Sequence, residues 1–282
     1  MKGFFDMLTM IEVLKAILFG VVEGITEWLP ISSTGHMILL DEFVKLDVSK
    51  EFLDLFLVVI QLGAILAVVV IYWNKLIPLS TKHGLHISRR KCKMWVKIIV
   101  ASIPAGVVGI LWDDVFTKYF YNYQTVAIML ILVGVVFIII ERSNKNKIAR
   151  VDSIDDISYG QAFLIGVFQM LAAIFPGTSR SGSTIVGSLM LGISRTAAAE
   201  FTFFLAVPAM FGGSAIKILK YSGGFNSAEV ALLAIGMIVA FVLSIIAIKF
   251  LMSYIKKHDF KVFGWYRIIL GIAVIGYFLA TR

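Results

Sequence analysis

Six stretches of the chain, at approximately 54–73, 96–112, 123–141, 201–219, 229–252 and 264–281, are each long and apolar enough, or nearly so, to cross a hydrocarbon core. A spanning helix needs about 20 such residues. No other feature limits the fold as strongly. In lipid every backbone N–H and C=O must find its partner within the protein, so only helices and closed barrels cross. The apolar residues run continuously rather than alternating, which excludes a transmembrane β-barrel. The fold class is therefore an all-α polytopic membrane protein. Composition agrees, with 59% apolar and 16% charged residues, against about 25% charged in soluble domains. Disorder, collagen, coiled coil and a disulfide scaffold are excluded. Cys92 is the only cysteine, so neither a disulfide nor a thiolate metal cage is available. Trp73, Trp95, Trp112 and Trp265 stand near the ends of spans, where an aromatic belt is expected.

The net charge of +8 serves topology and anionic lipid rather than nucleic acid, for which no motif exists. Segment 74–97 carries Lys75, Lys82, Arg89, Arg90, Lys91, Lys93 and Lys97, segment 142–158 carries Arg142, Lys145, Lys147 and Arg150, and segment 254–263 carries Lys256, Lys257 and Lys261. The connections 112–122 and 220–228 carry only Lys118 and Lys220. The first three are expected to be cytoplasmic and the last two external. The N-terminal apolar run is interrupted by Glu23 and Glu27 and lacks a small-residue cleavage site, so a removable signal peptide is not expected.

Two apolar regions are broken by turns rich in Gly, Ser and Thr: 8–29 followed by 37–44, and 159–175 followed by 184–193. Crossing parity requires 159–193 to enter and leave on the cytoplasmic side, as a hairpin. Its second piece is too short to span, which favours a re-entrant form. An internal match supports the same for 13–46. Gly20, Val21, Pro30 and Ser33 correspond to Gly166, Val167, Pro176 and Ser179, and Phe52 and Gly63 to Phe201 and Gly212. The expectation is one integral membrane domain over 1–282 with repeat halves at approximately 1–150 and 151–282. Six transmembrane helices and two re-entrant hairpins of inverted topology would meet near the midplane.

The two turns carry the chemistry. Glu23 and Glu27 are four residues apart and share one helix face. Paired carboxylates at depth call for a proton, a divalent cation or a basic partner. Ser32-Ser33-Thr34-Gly35-His36 opens a short helix, whose N–H groups favour an anion. Ser33 offers a nucleophile and His36 a proton donor or acceptor. Pro176-Gly-Thr-Ser179-Arg180-Ser181-Gly-Ser-Thr184 reads as a phosphate cradle around a guanidinium. Arg180 as counter-ion to Glu23 or Glu27 is the alternative, compatible with the cradle once a ligand binds. Two Glu and one Arg leave about one negative charge, which a diphosphate would increase. Mg²⁺ or Ca²⁺ on Glu23 and Glu27 answers that, whereas zinc lacks its ligands.

Lower-ranked residues receive structural readings. Arg195 and Glu200 are expected at the membrane surface, Gln61 mid-span facing the cavity, and Asp113 and Asp114 at the external interface. Lys217, Lys249 and Arg267 are expected to snorkel. His83, His86 and His258 lie in cytoplasmic loops without a ligand pattern, and Pro104 and Pro208 are expected kinks.

Gly20-Val-Val-Glu23-Gly-Ile-Thr-Glu27-Trp-Leu-Pro-Ile-Ser-Ser33-Thr-Gly-His36 and Pro176-Gly-Thr-Ser179-Arg180-Ser-Gly-Ser-Thr184 closely resemble the two signature motifs of the bacterial undecaprenyl-diphosphatase family, associated with bacitracin resistance. Ser194-Arg-Thr-Ala-Ala-Ala-Glu-Phe-Thr-Phe-Phe-Leu-Ala-Val-Pro-Ala-Met also resembles that family, and the similarity runs over essentially the whole chain. The resemblance implies removal of the terminal phosphate of undecaprenyl diphosphate in the bacterial plasma membrane. The product is the carrier for peptidoglycan, and bacitracin competes for the substrate. It implies a site opening extracytoplasmically, with catalytic Glu27, Ser33, His36 and Arg180. Ser179, Arg180, Ser181 and Thr184 would bind phosphate, and Glu23 and Glu27 the metal. Ser33, His36 or water remains open as the nucleophile, and a homo-oligomer is left open. The rival reading is a polyprenyl-phosphate transporter or flippase built on the same inverted-repeat cavity. Transport does not require the Ser33/His36 pair beside two carboxylates.

Overall fold

The computed structural model describes residues 9–80 and 86–281. Lys82 and His83 lie outside the described residues, as do the side chains of Asp113 and Asp114. Six helices are long and apolar enough to cross a membrane: α3 (Lys50–Ile71), the Arg89–Trp112 part of α5 (Arg89–Phe120), α6 (Tyr123–Asn144), α9 (Arg195–Lys220), α10 (Ser227–Tyr254) and α11 (Lys261–Thr281). They coincide with the six apolar stretches and extend several of them by a turn or more. The chain is a multi-pass membrane protein. Pro104 and Pro208 both lie inside helices. A four-residue helix, α4 (Trp73–Leu76), and a minimal hairpin of β1 (Leu79–Ser80) with β2 (His86–Ile87) connect α3 to α5.

Side-chain caps set where several helices begin. Ser49, Asn122, Ser194 and Asn226 each accept the amide three residues on, at the starts of α3, α6, α9 and α10. Such a cap contributes about 1 kcal/mol by pairing an amide the helix leaves free.

The remaining helices form two hairpins. The first comprises α1 (Met10–Thr26) and α2 (Ser33–Phe43); the second comprises α7 (Tyr159–Ile174) and α8 (Arg180–Met190). Polar contacts close each mouth. Lys15 donates to the carbonyl of Lys45 at 2.6 Å, and Glu12 accepts the Asp47 amide at 3.0 Å. Gln161 donates to the carbonyl of Leu191 at 3.4 Å, and Val151 bridges Ile193. Each hairpin therefore enters and leaves at one end of the bundle. At 11 residues α8 rises about 16 Å, half of a hydrocarbon core.

Helix pairings come in matching sets: α1 lies along α10 and α7 along α5, while α6 pairs with α11 and α3 with α9. The equivalence extends to single residues. A Cβ on Gly20 would stand 2.7 Å from the Gly236 carbonyl oxygen, and one on Gly166 would stand 2.2 Å from that of Ala101. Only glycine permits either backbone approach. At the turns the register slips by one residue. One residue separates Pro30 from Ser32, whereas two separate Pro176 from Ser179. The structural counterpart of Ser179 is thus Ser32 rather than Ser33, and Arg180 occupies the place of Ser33.

The largest apolar cluster surrounds the junction of the two turns. Trp28, fully buried, meets Phe203 of α9 edge-on at 5.3 Å. Aromatic contacts at such geometry add to burial alone. Phe19 and Phe56 make a similar T-shaped contact between α1 and α3 at 5.9 Å.

Candidate active site

The first turn begins where α1 runs out. The Glu27 amide still bonds to the Glu23 carbonyl at 3.0 Å, so both carboxylates stay on one helical face. Pro30 lacks an amide to continue the helix. Ser32 then takes φ 74°, a region that non-glycine residues rarely occupy, and its hydroxyl accepts the Gly35 amide at 3.3 Å. The second turn repeats this. Ser179 has φ 69°, and its hydroxyl accepts the Gly182 amide at 3.1 Å. Gly177, at φ 89°, must be glycine, since a Cβ there would also stand 2.5 Å from the Val126 carbonyl oxygen of α6. Two short helices thus start at the same junction and bring free backbone N–H groups to it.

Glu27 joins the two turns. Its Oε2 accepts the Ser33 hydroxyl at 2.5 Å, and its Oε1 accepts Nη2 of Arg180 at 2.7 Å. Arg180 also donates Nη1 to the Thr202 carbonyl at 3.2 Å, and its guanidinium lies 5.9 Å from the centre of the Trp28 ring. One carboxylate therefore holds a hydroxyl on one oxygen and a guanidinium on the other, and all three residues line a cavity of about 210 Å³. Glu27, Ser33, Thr34, Gln61, Ser179 and Arg180 form its polar wall, and Val58, Ala172, Ala209 and Met210 contribute the apolar one. Gln61 lines the cavity, where the sequence favours a structural role for it.

Other predicted site residues stand elsewhere. Thr184 is fully buried behind Arg180; its hydroxyl contacts that of Thr202 at 2.9 Å and donates to the Arg180 carbonyl at 2.9 Å. Ser181 donates to the carbonyl of Glu27 at 3.2 Å. The Ser181 hydroxyl ties the second turn to the first, the Thr184 hydroxyl ties α8 to α9, and neither residue lines the cavity. Glu23 is buried off the cavity wall, and among the described residues neither of its oxygens has a hydrogen-bond partner. His36 also lies off the cavity wall. Its Nδ1 stands 2.7 Å from the Ser32 carbonyl oxygen, which only accepts, so Nδ1 carries a proton. In the neutral ring Nε2 then accepts the Tyr266 hydroxyl at 2.7 Å, and the two rings stack at 5.6 Å.

Tyr266 and Arg267 of α11 are the residues that sequence reasoning misses. Arg267 does not snorkel. It is fully buried and donates to the carbonyls of Gly177 at 2.8 Å, Thr178 at 2.9 Å and Pro30 at 3.3 Å, clasping both turns. Snorkelling fails because α11 packs against α6 beneath the turns, whose carbonyls are the nearest polar atoms. Arg267 thus serves the carbonyls of the turns, while Arg180 is the guanidinium that meets a carboxylate at the junction. Lys217 and Lys249 are exposed. Arg195 forms a bidentate pair with the buried Glu141, and Glu200 pairs with Lys75. Both pairs lie outside the cavity wall, in keeping with a structural role.

A family model described as bacitracin resistance protein BacA matches residues 16–273. The chain is 63% identical over 273 residues to an undecaprenyl-diphosphatase of Desulfitobacterium hafniense, covering 97% of this chain and 98% of that protein. It is 61% identical over 269 residues to undecaprenyl-diphosphatase 1 of Clostridium acetobutylicum, covering 95% and 98%. An undecaprenyl-diphosphatase of Acetivibrio thermocellus is 56% identical over 273 residues, covering 97% of this chain and all of that protein.

Proposed function

The chain belongs to the bacitracin resistance protein BacA family, and we propose that it hydrolyses undecaprenyl diphosphate to undecaprenyl phosphate and inorganic phosphate. The activity returns the lipid carrier to peptidoglycan synthesis, and bacitracin competes for the same diphosphate. The observation that carries this reading is the Ser33–Glu27–Arg180 constellation across one cavity. The names of the relatives support the substrate.

The polyprenyl tail stays in lipid while the diphosphate enters the cavity. Arg180 turns its fork of donors to the phosphate oxygens, joined by Ser179 and the amides opening α2 and α8. Glu27 takes the Ser33 proton as Oγ attacks the terminal phosphorus. The new Oγ–P bond replaces the bridging P–O bond, and undecaprenyl phosphate leaves. Water then attacks the phosphoserine, the Oγ–P bond breaks as Glu27 returns its proton to Oγ, and inorganic phosphate leaves with the oxygen and hydrogens of the water, restoring Ser33 and the Glu27 carboxylate. His36, held by Ser32 and Tyr266, orients the turn that presents Ser33 and serves the proton transfers from behind it.

Glu23 suits a divalent cation, because neither of its buried oxygens has a hydrogen-bond partner among the described residues. Among the described residues no third Asp, Glu, His or Cys joins it and Glu27. Mg²⁺ or Ca²⁺ held by Glu23 and Glu27 would supply neutralising charge to the diphosphate when bound.

The basic loops 74–97, 142–158 and 254–263 are read as cytoplasmic and the cavity as opening extracytoplasmically. The matched helix pairings support halves of inverted topology, approximately 1–150 and 151–282. That plan is also how transporters are built. Phosphate release from undecaprenyl diphosphate by the purified chain in detergent separates the readings. Release lost in Arg180→Ala and Glu27→Gln supports the phosphatase, and loss with chelator supports the metal. A folded wild type that binds the lipid without releasing phosphate overturns hydrolysis and favours transport.

A further inference from the structure

A second cavity, of about 270 Å³, lies at the start of α5, away from the two turns, and is lined by Arg89, Arg90, Lys93, Lys97 and Asp155. Spacings of four put Arg89, Lys93 and Lys97 on one face of the helix. Four cations line it with one carboxylate, and Asp156, next to Asp155, also acts on Arg90 and Lys97 from outside the wall. Asp155 is already paired with Arg90. Lys97 is buried, at 7% exposure, and reaches only backbone: it donates to the carbonyl of Asp155 at 2.6 Å and to that of Ile154 at 3.4 Å. Arg89 and Lys93 make no ion pair among the described residues.

This arrangement is unfavourable by itself. Like charges four residues apart repel. Arg89, in the first turn, also stands against the positive end of the helix dipole, and that turn has neither an acidic side chain nor a side-chain cap at Ser88. An oxyanion among Arg89, Lys93 and Lys97 would offset both penalties. A phosphate group suits donors of this kind. On the same span, Val96, Ile99 and Ile103 are exposed by 46%, 56% and 49% and continue away from the cations along the helix. A ligand seated here would therefore place its charged end against the cations and an apolar body along the helix.

We propose that this cavity binds the phosphate headgroup of an anionic membrane phospholipid, with its acyl chains along Val96, Ile99 and Ile103. The site adds to the phosphatase reading and does not depend on it. Basic pockets at membrane-interface helix ends are suited to such headgroups.

The test is thermal unfolding of the purified full-length chain in uncharged detergent. It is titrated with dioctanoyl phosphatidylglycerol, dioctanoyl phosphatidylcholine or inorganic phosphate. Phosphatidylglycerol is expected to raise Tm saturably, and phosphatidylcholine is not. Arg89→Gln/Lys93→Gln should weaken the apparent affinity about tenfold or more. Lys256→Gln/Lys257→Gln removes the same charge from another loop and should leave it unchanged. Equal weakening in both double variants would overturn the site in favour of diffuse attraction. An equal response to inorganic phosphate would overturn the lipid as its ligand. Unfolding of the first double variant in phosphatidylcholine reports its fold. If that fold is impaired, Lys93→Gln alone is judged by the same criteria.

Discussion

At the end of α1 a serine with φ 74° caps a short helix and holds the amide of the glycine three residues on. At the end of α7 another serine, with φ 69°, does the same. The frames match, while the side chains mounted on them differ. The first turn presents Ser33 and His36 where the second has Arg180 and Ser183, and the helix before it carries Glu23 where its counterpart carries Gln169. Each frame brings helix N-termini to one place, a property of backbone alone. The carboxylate and hydroxyl come from one hairpin and the guanidinium from the other. Neither turn is a site by itself, and Glu27 is the atom-level link between them.

Substitutions that break this division of roles should have unequal effects. The largest is expected for Arg180→Ala, which removes the only guanidinium on the cavity wall among the described residues. Phosphate release should fall by about 10³-fold or more, as for cationic groups that stabilise phosphoryl transfer. Arg180→Lys should restore only part, since an ammonium keeps the charge and loses the fork. A fall of less than tenfold would mean that the second turn does not hold the phosphates.

Ser33→Ala is next, at about 10²- to 10⁴-fold. Acid quenching with substrate labelled at its terminal phosphate should trap a phosphoprotein in the wild type and none in Ser33→Ala. Label retained by the variant would move the nucleophile to His36; no label in either would assign the attack to water.

A third comparison sets the helix positions against each other. Glu23→Gln should weaken the response to added Mg²⁺ or Ca²⁺ by about 10- to 100-fold, a range typical of damaged metal sites. Gln169→Leu, at the equivalent position, should leave the metal response of phosphate release unchanged. Similar losses in both would mean that burial at this depth matters and the carboxylate does not.

Arg267→Met tests the clasp rather than the chemistry. It leaves the carbonyls of Pro30, Gly177 and Thr178 without this donor, and stability should fall by about 2 kcal/mol, read as a lower Tm. Arg267→Lys should recover little, because a single ammonium does not span both turns as the guanidinium does. The smallest effects are expected for Ser32→Gly and Ser179→Gly. Relief of positive φ offsets loss of the cap, so each should shift stability by under about 1 kcal/mol. Unequal shifts would show that the two frames are not equivalent in energy.

Much of this was legible before folding was considered. Apolar runs near 20 residues marked the spans, and Pro followed by Ser, Thr and Gly marked both turns. Charge at depth singled out Glu23, Glu27 and Arg180. The register was not legible: aligning Ser33 with Ser179 maximises identity, but φ and the cap bonds align Ser32. Arg267 was hidden for a different reason. In a span a lone arginine reads as a snorkelling residue, and nothing nearby in the chain announces the carbonyls of Gly177 and Thr178, about 90 residues away. Tyr266 resembled any aromatic near a span end. Ser181 and Thr184 were correctly placed on the second turn, but which hydroxyls face the cavity depends on how α8 lies against α9.

The sequence by itself determined the solvent of this protein and the kinds of chemistry at its turns, because hydropathy and side-chain type are local properties that survive any arrangement of the helices. Only the tertiary structure decided that Glu27 would bond Ser33 and Arg180 at once, and that Arg267 would hold both turns. Apart from the local Glu27–Ser33 bond, those contacts join residues 89 to 237 positions apart. They depend on helix packing that brings buried charges and carbonyls within hydrogen-bond distance where no water can serve instead.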